Sequence, residues 1–141
     1  MTATMQLEVL TPDKKVLDGV VTAMRVLLPD GWWGILPGHT PMISYIDDGV
    51  VHYTIKDTQR YIALYQGTIE VQKQPGIPTR VLILTAAAEE GEDLEEVLSS
   101  LKQQAAKLVE SSKQANLEFN QLRLSLEKSL QEAQITKIGL G

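Results

Sequence analysis

The chain has 141 residues, with 13 basic and 18 acidic side chains, two histidines and no cysteine. The missing cysteine excludes disulfides, thiolate metal ligands and thiol nucleophiles, and the net charge of −5 argues against nucleic acid as the main partner. No run approaches the roughly 18 apolar residues of a membrane-spanning helix. The first residues combine no basic flank with an apolar stretch and are not rich in arginine, so we expect neither a secretory signal nor a transit peptide.

Short strands are predicted through the first part of the chain, up to about residue 86. Runs rich in β-branched residues alternate with turn residues at intervals of roughly 8–12 residues, which is typical of a sandwich or barrel. The predicted strands include residues 6–10, 20–28, 50–55, 60–65, 68–72 and 80–85. We therefore expect a β sandwich of about ten short strands, forming a domain over residues 1–87.

Residues 28–41 form the most distinctive segment, because three prolines and three glycines surround both tryptophans of the chain. Glycine reaches positive φ, and proline fixes φ and lacks an N–H, so the segment is predicted to be a series of tight, rigid turns. Trp32 and Trp33 allow two interpretations. They either plug a sheet edge or form an exposed contact surface, since a rigid aromatic loop loses little entropy on binding.

The apolar period changes from that of a strand to that of a helix after residue 88. One stripe is followed by a polar break at 111–116 and then by a second stripe. We predict an antiparallel helical hairpin in a domain over residues 88–141, with Asn116 as a candidate cap. Helices of this length are marginal alone, so the stripes pack either on the sandwich or along another protein, and the sequence leaves both open. The stripes consist of Leu94, Val97, Leu98, Leu101, Ala105, Leu108 and Val109, and of Phe119, Leu122, Leu126, Leu130 and Ala133.

Nothing in the sequence indicates catalysis, a cofactor or a metal ion. His39 and His52 lie in a predicted turn and strand without metal-ligand spacing, and a structural role is the preferred interpretation for both. The glycines of residues 31–38 fit neither a dinucleotide fingerprint nor a phosphate loop. Six of the eight residues from Glu89 to Glu96 are acidic. We interpret them as a solvated helix N-terminus, which the helix dipole favours, in preference to an acid/base or calcium cluster.

A sandwich followed by a helical hairpin, with the sequence of residues 34–41 in its first third, resembles the epsilon subunit of F-type ATP synthases. Further similarities cover nearly the whole chain, at residues 18–20, 49–51, 66–72 and 81–84. The family pattern Gly-x-x-Gly-Ile-x-Pro-Gly-His-x-Pro is matched by Gly31, Gly34, Ile35, Pro37, Gly38, His39 and Pro41.

The resemblance implies a non-catalytic rotor subunit of a proton- or sodium-translocating ATP synthase, without cofactor, on the cytoplasmic face of the inner (plasma) membrane. It would associate with that membrane only through its complex. Its sandwich would bind the gamma subunit and sit on the membrane c ring, coupling ring rotation to the catalytic head. Residues matching the contact loop are Gly31, Trp32, Trp33, Gly34, Pro37, Gly38 and His39.

The resemblance also implies that the hairpin can extend along gamma and inhibit ATP hydrolysis through basic residues that meet the catalytic beta subunits. Candidates here are Lys107, Lys113, Arg123 and Lys128, whose simpler interpretation is a solvated helix face. The sequence fixes neither the resting conformation of the hairpin nor the coupling ion.

Three departures from the family pattern qualify these expectations. The ring-facing loop, commonly Gly-Glu-(Leu/Phe)-Gly, carries the tryptophan pair here, so an unusual ring contact and a divergent or paralogous enzyme are expected. The family's ATP-binding segment, (Ile/Leu)-Asp-x-x-Arg-Ala, lacks its arginine at residues 94–99, and we predict no physiological ATP binding. Gln66 replaces a glycine, a change that a turn absorbs. The main alternative is a free-standing carbohydrate- or peptide-binding sandwich, which would not explain the hairpin.

Overall fold

The computed structural model describes residues 3–109 and 123–132, with side chains up to residue 107 in the first range. Lys113, the break at 111–116 and part of the second apolar stripe lie outside the described residues. The elements are β1 (Met5–Leu10), β2 (Lys15–Val21), β3 (Ala23–Leu28), β4 (Gly31–Ile35), β5 (Met42–Ile46), β6 (Gly49–Ile55), β7 (Thr58–Gln74), β8 (Ile77–Gly91) and α1 (Leu94–Val109). Residues 123–132 are also helical and are called the C-terminal helical segment.

The two longest strands build both layers of the sandwich. Residues 67–71 of β7 and 80–84 of β8 belong to a layer with the order β2-β1-β8-β7-β5, called the open layer. The other ends of β7 and β8 belong to a layer with the order β8-β7-β6-β3-β4, called the covered layer. All pairs are antiparallel except β1 with β8. The predicted sandwich is confirmed, with eight strands.

The chain crosses between the layers at a bend in β7, where the sequence predicted two separate strands. Gln66 has a φ of 51°, and the Thr85 hydroxyl lies 2.8 Å from the carbonyl oxygens of Tyr65 and Gln66. The hydroxyl proton is shared between these two oxygens, and this contact holds β8 at the bend. The prediction of separate strands over residues 60–65 and 68–72 was wrong, because β7 stays paired with β8 on both sides of the bend.

Residues 31–35 form a strand, so the prediction of a series of turns across this segment was wrong. All five residues pair with β3 after the chain reverses at Pro29 and Asp30. A true turn follows at residues 36–39, where the His39 N–H donates to the Leu36 carbonyl oxygen at 2.9 Å. Its central residues, Pro37 and Gly38, suit a type II turn, and Gly38 has the positive φ of 90° that this turn needs.

Two apolar clusters stabilise the molecule. The cluster between the layers takes residues from all eight strands. The second cluster joins the outer face of the covered layer to α1 and the C-terminal helical segment. Successive side chains of β7 point to opposite faces and therefore contribute to both clusters. Ile62 and Leu64 point between the layers, whereas Tyr61 and Ala63 point towards the helices. The helix pair is therefore packed on the sandwich.

Two further features bear on the sequence predictions. β8 continues to Gly91, past the predicted domain boundary after residue 87, and that division of the chain stays a prediction. Within the described ranges, no helix has both the length and the hydropathy that a membrane crossing requires.

Candidate interaction surfaces

β4 places the two tryptophans on opposite faces of the covered layer. Trp32 packs against the helix-side cluster, and the Arg25 guanidinium lies 5.2 Å above its ring. Trp33 is 39% exposed, and its indole N–H donates to Asp30 Oδ1 at 2.8 Å. Trp32 is therefore partly buried between the sheet and the helices, whereas Trp33 is held outward. A contact role for Trp33 stays a prediction.

The remaining predicted contact residues lie along an edge rather than in one loop. β4 ends the sheet order, and its five residues separate Gly31 from the 36–39 turn by roughly 16 Å at about 3.3 Å per residue. The Gly38 N–H donates to the Thr79 hydroxyl at 2.7 Å, which fixes the turn to β8. His39 is partly exposed, and its Nδ1 donates to the Thr40 carbonyl oxygen at 2.7 Å.

The outer face of the open layer carries exposed apolar side chains that sequence reasoning missed. Ile43 is 76% exposed, Tyr45 53% and Leu84 47%. Tyr45 and Leu84 lie in one cross-strand row with Leu10, through Thr68. Grooves of about 670 and 490 Å³ run over this face beside Tyr45 and Ile43. The signal in the sequence was the run Met42–Ile46, which is apolar on both strand faces.

Charged residues on this face are mostly neutralised in pairs. Arg80 Nη2 donates to both carboxylate oxygens of the nearly buried Glu8, at 3.1 and 3.2 Å. Towards the β2 edge, hydrogen bonds from Gln6 and Lys15 lower the pKa of Asp18. The face therefore combines exposed apolar side chains with polar groups that are paired, and protein interfaces carry both kinds of residue. We call it the open-layer face.

Several of the carboxylates near the start of α1 have structural partners. Arg60 bonds Glu90 through Nε and Nη2 and bonds Glu92 through Nη1, and Tyr53 donates to Glu90. The Arg60 hydrogen bonds lower the pKa of Glu90, while burial and the Glu90 contact raise the pKa of Tyr53. Asp93 Oδ1 accepts from the Glu96 N–H at 3.0 Å and caps the helix. The predicted lack of ATP binding at this segment stays a prediction.

His52 lies within the covered layer. Arg25 Nη2 donates to its Nδ1 at 3.1 Å, Gln59 Oε1 accepts from its Nε2 at 3.2 Å, and its ring stacks on Tyr61 with centroids 4.7 Å apart. Among the described residues, no group of three or more histidine and carboxylate side chains is arranged to hold a metal ion.

The predicted basic residues lie on the exposed surfaces of the helices. Lys107, Arg123 and Lys128 are all exposed, and Lys128 Nζ lies 3.9 Å from Glu132 Oε1. Lys102 Nζ lies 3.8 Å from Glu127 Oε1 and links α1 to the C-terminal helical segment.

Comparison with known proteins finds a family that matches this chain. Residues 4–91 match the model of the ATP synthase, Delta/Epsilon chain, beta-sandwich domain. The chain is 35% identical to the ATP synthase epsilon chain of Halalkalibacterium halodurans over 127 residues, which cover 89% of this chain and 92% of that one. It is 38% identical to the ATP synthase epsilon chain of Koribacter versatilis over 95 residues, 67% of this chain and 63% of that one.

The fold is also similar to that of a chain in the cryo-EM structure of the Euglena gracilis mitochondrial ATP synthase, OSCP/F1/c-ring. The TM-score is 0.66 at 18% identity, covering 93% of this chain and 81% of that chain.

Proposed function

The chain belongs to the ATP synthase delta/epsilon family, and we propose that its open-layer face binds the gamma subunit while the β4 edge rests on the c ring. As an epsilon-type chain it is a rotor-stalk subunit of a membrane-associated F-type ATP synthase. The finer assignment is a non-catalytic role on the cytoplasmic face of the inner membrane. There the chain passes rotation between ring and catalytic head.

The exposed open-layer face carries the gamma proposal. The covered layer has its outer face filled by α1 and the C-terminal helical segment, whereas Ile43, Tyr45 and Leu84 of the open layer remain uncovered. Large apolar side chains grouped on one sheet face favour a protein partner, particularly where the neighbouring charges are paired. The family resemblance implies that this partner is the gamma subunit.

Exposed residues at the β4 edge support the ring contact. Trp33 is held outward by Asp30, Leu36 is exposed, and the 36–39 turn is anchored to Thr79. A rigid apolar edge loses little conformational entropy on contact. Trp32 is partly buried against the helix-side cluster, so it is less available to a partner while the helix pair is packed on the sandwich.

The packed helix pair supports a regulatory role in the same complex. While the helices are packed on the sandwich, three basic side chains are exposed but stay close to the sandwich: Lys107, Arg123 and Lys128. Release would let them reach acidic segments of the catalytic beta subunits and inhibit ATP hydrolysis.

The test compares two sets of variants in native membranes. Ile43→Asp combined with Tyr45→Asp is expected to prevent recovery of gamma with the tagged chain. Leu124→Asp is the matched control, since Leu124 is comparably exposed but lies on the C-terminal helical segment. Because the chain has no cysteine, Trp33→Cys introduces a single thiol, and we expect it to crosslink to a c subunit.

Three outcomes would contradict the proposal. Gamma recovered equally with both aspartate variants would dismiss the open-layer face. Crosslinking of Trp33→Cys to other subunits only would dismiss the ring contact. Recovery of the wild-type chain alone, without gamma or c subunits, would favour the alternative of a free-standing ligand-binding sandwich.

A further inference from the structure

Asp48, in the turn between β5 and β6, is joined to the C-terminal helical segment by Ser129. The nearly buried Ser129 hydroxyl donates to the Asp48 carbonyl oxygen at 3.0 Å. Ser125, one helical turn earlier, lines the same groove as Asp48. Residues spaced i, i+4 share a helix face, so both serines lie on the helix face beside Asp48.

The surroundings of the Asp48 carboxylate do little to stabilise its negative charge. Its Oδ1 is buried and has no hydrogen-bond partner among the described residues, and the neighbouring Asp47 carries the same charge. The other charged groups lining the adjacent groove of about 520 Å³ are Lys128 and Glu132, on the helix. These two lie 3.9 Å apart and largely offset each other. The β3 and β4 residues that line the groove are uncharged.

We propose that Asp48 is a proton-operated latch for the helix pair: its neutral carboxyl holds the C-terminal helical segment on the sandwich, and its ionised form weakens that contact. The neutral form avoids most of the desolvation that burial imposes on a carboxylate. It also gains an O–H donor for the polar atoms of the groove. The Ser129 hydrogen bond uses the backbone and is independent of the proton.

The direction of the pH dependence follows from the burial of the carboxyl. Desolvation, with a smaller contribution from Asp47, raises the pKa of Asp48 to about 6 in the packed state, although Ser125 and Gln66 act to lower it. A carboxyl in water has a pKa of about 3.9. The packed form therefore binds more protons than the released form, so packing is favoured at low pH and weakens as the pH rises through about 6.

Amide hydrogen exchange of residues 123–132 in the full chain measures the ratio of packed to released helix. After correction for the intrinsic exchange rate, we expect protection of the wild-type chain to fall by at most about tenfold between about pH 5 and pH 7.5, because partial exposure of the carboxyl reduces the effect. Asp48→Asn should remove this pH dependence. Asp47→Asn, the matched control, should retain it, and Ser129→Ala should lower protection at every pH.

Wild-type protection that stays constant over this range would overturn the proposal, as would an Asp48→Asn chain that keeps the pH dependence. If Asp48→Asn does not fold, carbon-13 NMR titration of the Asp48 carboxyl in the wild-type chain decides. An Asp48 pKa near 6 in the folded chain supports the latch, and a value near 4 contradicts it.

Discussion

At the scale of single residues, Gly67 decides whether β7 can contribute to both layers. A Cβ at this position would lie 2.3 Å from the Leu84 carbonyl oxygen and 3.1 Å from the Thr85 Cα. Both contacts involve backbone, so the close approach of β7 and β8 requires glycine here. The sequence predicted separate strands on either side of Gly67, and glycine in general weakens strands. Which backbone lies beside it depends on tertiary pairing.

We expect Gly67→Ala to lower the free energy of unfolding by about 2–3 kcal/mol, since two strands must separate to admit the methyl group. Urea unfolding followed by circular dichroism measures the change. Gly34→Ala is the control: Gly34 also lies in a strand but has open space around its Cα, and its effect should stay within about 0.5 kcal/mol. Equal losses of unfolding free energy in the two variants would show that the close approach to the Leu84 carbonyl oxygen does not cause the loss at Gly67.

Glu90 gives a second residue-scale prediction. Its pKa is lowered by the Arg60 hydrogen bonds, so the folded chain binds fewer protons than the unfolded chain. The resulting stabilisation is present above the ordinary glutamate pKa of 4.5 and is lost as the pH falls through the lower folded value. Because the pair is partly exposed, we expect Glu90→Gln to lower the free energy of unfolding by only about 1 kcal/mol at neutral pH.

The measurement is the unfolding free energy of wild type and Glu90→Gln between about pH 3 and pH 7. The difference should shrink towards the acidic end, as the wild-type carboxylate becomes protonated. Glu89→Gln removes the same charge one residue earlier and should not reproduce this profile. A difference that persists undiminished at low pH would assign the effect to packing rather than to charge.

At the scale of elements, sequence patterns predicted well where one face is apolar and the other polar. β1 and α1 show this contrast, and the buried residues Leu7 and Leu101 follow their predicted periods. β4 and β5 do not, because Trp32 packs under the helices while Trp33 and Ile43 are exposed for a partner. A strand that uses both faces has no alternation to detect, and these are the strands that build the candidate surfaces.

Packing of the C-terminal helical segment can be separated from stability of the sandwich by two leucines. Leu126 is fully buried in the helix-side cluster, whereas Leu124 is 60% exposed. We expect Leu126→Ala to weaken packing of the segment by about 2–3 kcal/mol, seen as faster limited proteolysis after residue 109, and Leu124→Ala to have little effect. Unfolding of the sandwich itself should change little in either variant. Equal proteolysis of both variants would contradict the packing seen at Leu126.

At the scale of the whole molecule, the helix pair covers an apolar face of the covered layer. Removing the chain after Glu92 preserves β8, which ends at Gly91, and uncovers Val50, Tyr61 and Ala63. A truncation before β8 ends would damage the sandwich and confuse loss of structure with loss of regulation. The open-layer face is on the other layer, so the truncated chain should still assemble with gamma.

In the assembled complex, we expect this truncation to raise ATP hydrolysis several-fold, because the proposed inhibition needs the helices to reach the beta subunits. Lys107→Gln, Arg123→Gln and Lys128→Gln together keep the apolar stripes while removing three exposed positive charges. If these charges meet acidic segments of beta, the triple variant should match the truncation. Raised hydrolysis by truncation alone would retain the inhibition but dismiss the charged contact. Unchanged hydrolysis in both variants would contradict the proposed inhibition. The role of the helix pair would then be to cover the apolar sheet face at Val50 and Tyr61.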